Sequence, residues 1–257
     1  MLIQAFSGGF DFRSFMMQLL LSIPPFILAL SMHEAAHAWV ANRCGDPTAR
    51  HLGRLTLNPF AHIDPIGFAM LFIVGFGWAK PVPVNPNNFK NYRRDDLKVS
   101  LAGIAANLLM FVLGCLMMFG MIAIALRQIP SGTLSASEAS MLLRAPDTYG
   151  YGLVAQLLGS FAGYAYLMML IFTTINLTLA AFNLLPVPPL DGYHVFNDLL
   201  LHRQLFAPRQ AAMVGQIVLI GLIFTGALRW LLGAVHEGAL SGAGAVFEVL
   251  FRALHII

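Results

Sequence analysis

Charge is scarce in this chain. Only 11% of its 257 residues are Asp, Glu, Lys or Arg, about half the share of a soluble domain. Hydrophobic residues make up 58%. That balance excludes an ordinary soluble domain and predicts an integral membrane protein. Basic clusters are missing too. No Lys/Arg run is longer than Arg93-Arg94 and no aromatic–basic RNA motif occurs. The net charge of +3 therefore implies no nucleic-acid partner, and its loops report orientation instead. Cysteine is limited to Cys44, just after the first apolar run, and Cys115, within a later one. Their depths differ, so no disulfide is expected. Residues 1–14 have too few positive charges for a signal peptide. Ala36-His-Ala38 has the small-x-small look of a cleavage site, but a cut there would sever His33 from the rest.

What the chain does hold is Ser31-Met-His-Glu-Ala-Ala-His-Ala-Trp39, inside a long apolar run. His33 and His37, at i and i+4, lie ~40° apart around a helix and can converge on one metal ion. Glu34 points to the flank, placed to reach a water rather than the ion. The H-E-x-x-H pattern reads as two zinc ligands and a general base, with a third ligand still to be found. The alternative is an ordinary hydrogen-bonded helix interface, but ionisable groups in apolar helices are costly and mark function.

The expected fold is an all-α polytopic membrane protein with about four transmembrane helices, plus a re-entrant or extended segment near 66–90. Pro24 to Asn42 spans roughly 28 Å at 1.5 Å per residue, enough to cross the hydrocarbon. Pro24-Pro25 fits either the first turn of a helix capped by Ser22 or a kink in a longer one. Residues 43–65 form a loop rich in Pro and Gly. Ile66–Trp78 is short for a crossing and reads as re-entrant or interfacial. Prolines 81, 83 and 86 then impose extended backbone. A second span covers Leu101–Leu126, with small residues and Asn107 permitting close helix contact. A loop is expected at 127–150, an interfacial approach at 151–160, a third span at 161–185 and a fourth at 211–233. The tail 234–257 is assigned to the membrane surface. All 257 residues read as one domain, with a core of about 20–205.

Orientation identifies the third ligand. If 66–79 does not cross, loops 43–65, 80–98 and 187–210 share one side and carry 10 of the 15 Lys/Arg. If it crosses, the split is 7 to 8. The positive-inside rule favours the first layout, with the 10-charge side cytoplasmic. Asp191, in Asn183-Leu-Leu-Pro-Val-Pro-Pro-Leu-Asp-Gly192, can then approach His33 and His37 from the same side. An Asp-Gly pair alone is ordinarily a turn; His51, His62 and His194 are the competing donors. Asn183 could donate to a developing oxyanion. Asn107 and Asn176 read as amides that simply bond a neighbouring helix.

Four motifs in this order resemble the site-2 protease family of intramembrane zinc metalloproteases, over roughly residues 20–205. They are His33-Glu34-x-x-His37, Gly77-Trp-Ala-Lys-Pro-Val-Pro-Val-Asn-Pro86, Ala102-Gly103-x-x-x-Asn107 and Asn183-x-x-Pro-x-Pro-Pro-Leu-Asp-Gly192. The length matches compact members without PDZ or CBS domains. Ile104 departs from the Pro that many relatives carry after Ala-Gly. The resemblance implies zinc on His33, His37 and Asp191, water activation by Glu34, and assistance from Asn183 at the substrate carbonyl. It implies hydrolysis of peptide bonds in or near transmembrane helices, in a multi-pass cell membrane with the site toward the cytoplasm. The substrate would be a transmembrane or membrane-proximal peptide, and the surroundings the lipid bilayer. The rivals are a non-hydrolytic membrane zinc-binding or transport protein and a helix-binding module. A transporter would be expected to line a path with more intramembrane carboxylates and histidines. An intact Glu34 argues against a pure binding module.

Overall fold

In the computed structural model, residues 12–74, 77–130, 136–201 and 208–257 are described. Among them the chain is helical, and an isolated Ile63–Ala79 bridge is the sole β pairing. Helices α1 (Phe12–Cys44), α4 (Tyr92–Leu126) and α7 (Ser160–Asn183) pack on one another as the central bundle. Each is long and apolar enough to cross a membrane. Their outward faces carry exposed large apolar side chains, Leu20 and Leu28 on α1 and Leu108, Leu109 and Leu116 on α4 among them. In water such a surface would be a liability; in lipid it costs nothing. The all-α membrane fold expected from composition is borne out.

Helix α1 continues through Pro24 and Pro25, so the longer helix wins over one starting at the prolines. Ser22 is not its cap, since its hydroxyl donates to Leu19 O at 2.8 Å. Beyond α1 come the short α2 (Thr48–His51), a 3-10 turn at Pro59–Ala61 and α3 (Pro65–Val74). The ends of this excursion meet. Ile63 bridges Ala79 in antiparallel fashion, and Lys80 N–H donates to His62 O at 2.9 Å. The residues flanking the 13-residue run Ile66–Trp78 thus lie side by side, as expected of a run too short to cross. Asn91 begins α4 reciprocally: its side chain accepts from Arg94 N–H, while its own N–H donates to Asp95.

Two expectations need correction. The 127–150 region is not simply a loop, because α5 (Ala136–Arg144) lies there and α6 (Pro146–Leu158) begins there. Ala139, Leu142 and Leu143 of α5 are buried against the final helix α10 (Ala227–Ala253). Nor is 211–233 one straight span: α9 (Pro208–Phe224) meets α10 at a 73° bend. Gly226 makes that corner at φ 73, and Gly159 separates α6 from α7 at φ 92; a side chain would strain either position. The tail beyond 234 is mostly α10, which adds Leu240 and Phe251 to a core built on Phe119, Ile122 and Tyr166. That apolar end leaves the opposite end of the bundle for polar groups.

Candidate metal centre

Ser31, His33, Glu34 and His37 on α1, Asn107 on α4, and Thr173 and Asn176 on α7 are all buried. Burying polar groups demands partners: Ser31 and Thr173 donate to carbonyls of their own helices, and the others bond between elements. His33 Nδ1 lies 2.7 Å from Asn107 Oδ1. The Asn107 amide nitrogen donates to Asn176 Oδ1 at 3.2 Å, and Asn176 donates to Phe172 O at 2.8 Å. His37 Nδ1 lies 2.8 Å from Val99 O. Carbonyl oxygens only accept, so both imidazoles carry their proton on Nδ1 and present a lone pair on Nε2.

Those lone pairs face each other and a carboxylate. His33 Nε2 and His37 Nε2 are 3.0 Å apart, and Asp191 Oδ2 is 3.3 Å from each. Asp191 Oδ2 is buried without a hydrogen-bond partner. Three converging lone pairs repel unless a cation lies among them. Tetrahedral zinc with bonds of roughly 2.0–2.1 Å sets its ligand atoms about 3.3 Å apart, so the donor types and spacing fit zinc. Among the described residues this is the sole such group of three or more His, Cys, Asp or Glu.

The chain is shaped locally to allow the convergence. A Cβ on Gly103 would lie 2.4 Å from His37 Nε2 and 2.5 Å from His33 Cε1, so α4 can back onto the two rings only with glycine there. Asp191 opens the short helix α8 (Asp191–Phe196), which packs on α4. A Cβ on Gly192 would lie 2.3 Å from Leu184 O, so the Asp-Gly pair brings this turn hard against the end of α7. Glu34 Oε2 accepts a 2.7 Å hydrogen bond from Val82 N–H, which lays the proline-rich segment beside it.

With this geometry in view, residues 22–225 match the family described as Peptidase family M50. The chain belongs to that family. It is 33% identical over 239 residues to "Putative zinc metalloprotease YwhC" of Bacillus subtilis (strain 168), covering 91% of this chain and 96% of that one. It is 29% identical over 223 residues to "Putative zinc metalloprotease Rip2" of Mycolicibacterium smegmatis (strain ATCC 700084 / mc(2)155), covering 84% and 72%. The Rip2 protein of Mycobacterium tuberculosis (strain ATCC 35801 / TMC 107 / Erdman), which carries the same description, is 30% identical over 237 residues, covering 86% and 77%. No solved structure matches the chain. The resemblance to the site-2 protease family is thereby borne out.

Within this M50 chain the competing histidines lie outside the three-donor group. His51 ends α2 exposed to the surroundings, His62 pairs with Thr56 O, and His194 pairs with Asp96. Asn183 closes α7, half-buried and with no side-chain hydrogen bond among the described residues. Asn107 and Asn176 tie α4 to α7, as expected, and through Asn107 they also orient the imidazole of His33 on α1. Their partners are 74 and 69 residues away, too far for any local pattern to announce. Beside the site, His194 and Asp96 pair at 3.0 Å, and that contact draws the His194 pKa above its ordinary value. Burial, then the neighbouring Asp96 carboxylate, raises Asp198 to about 6.

Proposed function

We propose that this chain is a zinc-dependent endopeptidase cutting peptide bonds in or beside transmembrane helices. One domain spans residues 1–257, with its site toward the cytoplasm. The observation that carries the reading is the convergence of His33 Nε2 and His37 Nε2, on a helix long enough to cross a membrane, with Asp191 Oδ2 from the short α8, and with Glu34 on the flank of the histidines. These three residues would hold the metal. Bound zinc supplies a Lewis acid for the scissile carbonyl and lowers the pKa of water.

The chain's own groups do the rest. Glu34 has one carboxylate oxygen tied to Val82 N–H, which leaves the other to take a proton from the attacking water and pass it to the leaving amine. Asn107 and Val99 hold the two rings in the tautomer that presents Nε2. Asn183, with an amide free of partners among the described residues, would donate to the developing oxyanion. A cavity of about 350 Å³ lies between α1, α7 and α10, lined by Leu19, Phe26, Ile175, Leu179, Phe182 and Leu232 among others. Its apolar wall suits a segment of membrane helix. The 10-to-5 division of Lys/Arg supports the cytoplasmic assignment.

The test is hydrolysis of a synthetic transmembrane peptide by purified protein in lipid vesicles, with fragments identified by mass spectrometry. Cleavage inside or next to the apolar stretch is expected, lost on chelation and restored by zinc. An intact peptide in the presence of fully zinc-loaded protein, across a panel of such peptides, would overturn the reading.

A further inference from the structure

Asp46 is fully buried, yet it belongs to no catalytic motif. It sits just past the end of α1, twelve residues after Glu34. Its Oδ1 accepts from Thr48 N–H, from the Thr48 hydroxyl and from the Asn88 side-chain amide at 2.8 Å. Its Oδ2 accepts from Asn85 N–H at 2.7 Å. Burial works to raise its pKa, but these hydrogen bonds outweigh burial and hold the carboxyl below its ordinary value. Four donors on two oxygens require an acceptor-only group, which is a carboxylate.

Two of those donors belong to the segment 80–88 that runs over Glu34. Between Pro81 and Pro86 the backbone has three N–H groups, because three of the six residues are proline. Val82 N–H goes to Glu34, Asn85 N–H goes to Asp46, and Val84 N–H makes no bond among the described residues. Within Pro81–Pro86, each backbone N–H tie to the rest of the protein therefore ends on a carboxylate of α1 or its exit. Just before it, Lys80 N–H goes to His62 O and Lys80 O accepts from Arg54. Glu34 lies on α1, and Asp46 is tied to the end of the same helix by its N–H, which donates to Ala41 O at 2.9 Å. The prolines fix φ at three of the strap's six residues, which stiffens the backbone between its two ties. Close packing seats the Asp46 end: a Cβ on Gly45 would lie 3.0 Å from Asn88 O.

We propose that Asp46 is a positioning residue for the catalytic base: by anchoring Asn85 and Asn88 it sets the Pro81–Pro86 strap so that Val82 N–H orients the Glu34 carboxylate. This rests on the reading of Glu34 as the base, but its first readout needs no hydrolysis. Hydrogen exchange of the 81–86 segment reports on only three amides. In Asp46→Asn the shape is kept, while an NH2 group replaces one acceptor and meets the Asn85 N–H. Asn85 and, at the far end, Val82 should then exchange roughly 10- to 100-fold faster, the equivalent of one hydrogen bond to a charged group. Amides of α4 and α7 should be unchanged. Zinc content should stay at the wild-type level, and kcat on a synthetic transmembrane peptide should fall while KM holds.

A purely local role for Asp46 would free Asn85 alone. Wild-type protection of Val82 in Asp46→Asn would therefore overturn the proposal, whatever the peptidase assays show. Asn88→Leu, which leaves Asp46 itself intact, should move Val82 exchange in the same direction by a smaller factor; no change there would also overturn it.

Discussion

Gly103→Ala is the smallest perturbation aimed at the metal centre that alters no metal-binding side chain. The added Cβ would stand 2.4 Å from His37 Nε2, 2.5 Å from His33 Cε1 and 2.7 Å from His33 Nδ1. Contacts this short do not persist, so either the rings or the α4 backbone must move. The rings are not free to yield. His33 is held by Asn107 and His37 by the Val99 carbonyl, and both partners lie on α4 itself. Pushing α4 away stretches both bonds at once, each worth about 0.5–1.5 kcal/mol, on top of an overpacking cost of about 1–3 kcal/mol. Losses at groups that orient metal ligands typically cost 10- to 100-fold in metal affinity. We therefore expect Gly103→Ala to bind zinc roughly 10- to 100-fold more weakly, measured by competition with a chromophoric chelator in detergent. Gly120→Ala is the control on the same helix, because a Cβ there meets nothing within 4 Å. Wild-type zinc affinity in Gly103→Ala, with helicity unchanged, would refute the reasoning.

Asn107→Leu should lower zinc affinity by a similar 10- to 100-fold, since His33 loses the acceptor that fixes its tautomer; competition titration checks it. Asp198 has a folded pKa raised to about 6, so its stabilising contribution is full below the unfolded carboxylate value and is lost as pH rises through about 6. Asp198→Asn should thus raise the melting temperature more at pH 7.5 than at pH 4.5. Single cysteines at Asn87 and Leu200, with Cys44 and Cys115 replaced by alanine, should both resist an impermeant thiol reagent on intact cells. Labelling of both from outside would reverse the orientation, and labelling of only one would break the shared-side layout.

The elements most legible in the sequence obey a local period. Spacing of i and i+4 brought His33 and His37 to one face, and the 13-residue apolar run was too short to cross, which put Asp191 on the correct side. The return of that run is now visible in the Ile63–Ala79 bridge. The network around the donors was not legible. Asn107 meets His33 across 74 positions, and Val82 meets Glu34 across 48, contacts that depend on how helices pack rather than on any periodicity. Gly103 read as a small residue for helix contact, when the space it leaves is filled by the two histidine rings. Residues 127–150 read as a loop. Pro146 instead starts α6, where its missing N–H has no intrahelical partner to lose. The bend at Gly226 was not legible because only Thr225-Gly226 separates two apolar stretches, and one glycine is tolerated within a span.

Zinc content and peptide hydrolysis, measured together on wild type and Glu34→Gln, test the central claim most directly. The substitution keeps the shape of residue 34 and leaves His33, His37 and Asp191 untouched, so it removes the proposed base alone. One zinc per chain in both proteins, with cleavage of a synthetic transmembrane peptide by the wild type and turnover in Glu34→Gln down by at least about 100-fold, is the predicted result. Equal turnover by the two proteins at equal zinc loading would contradict it.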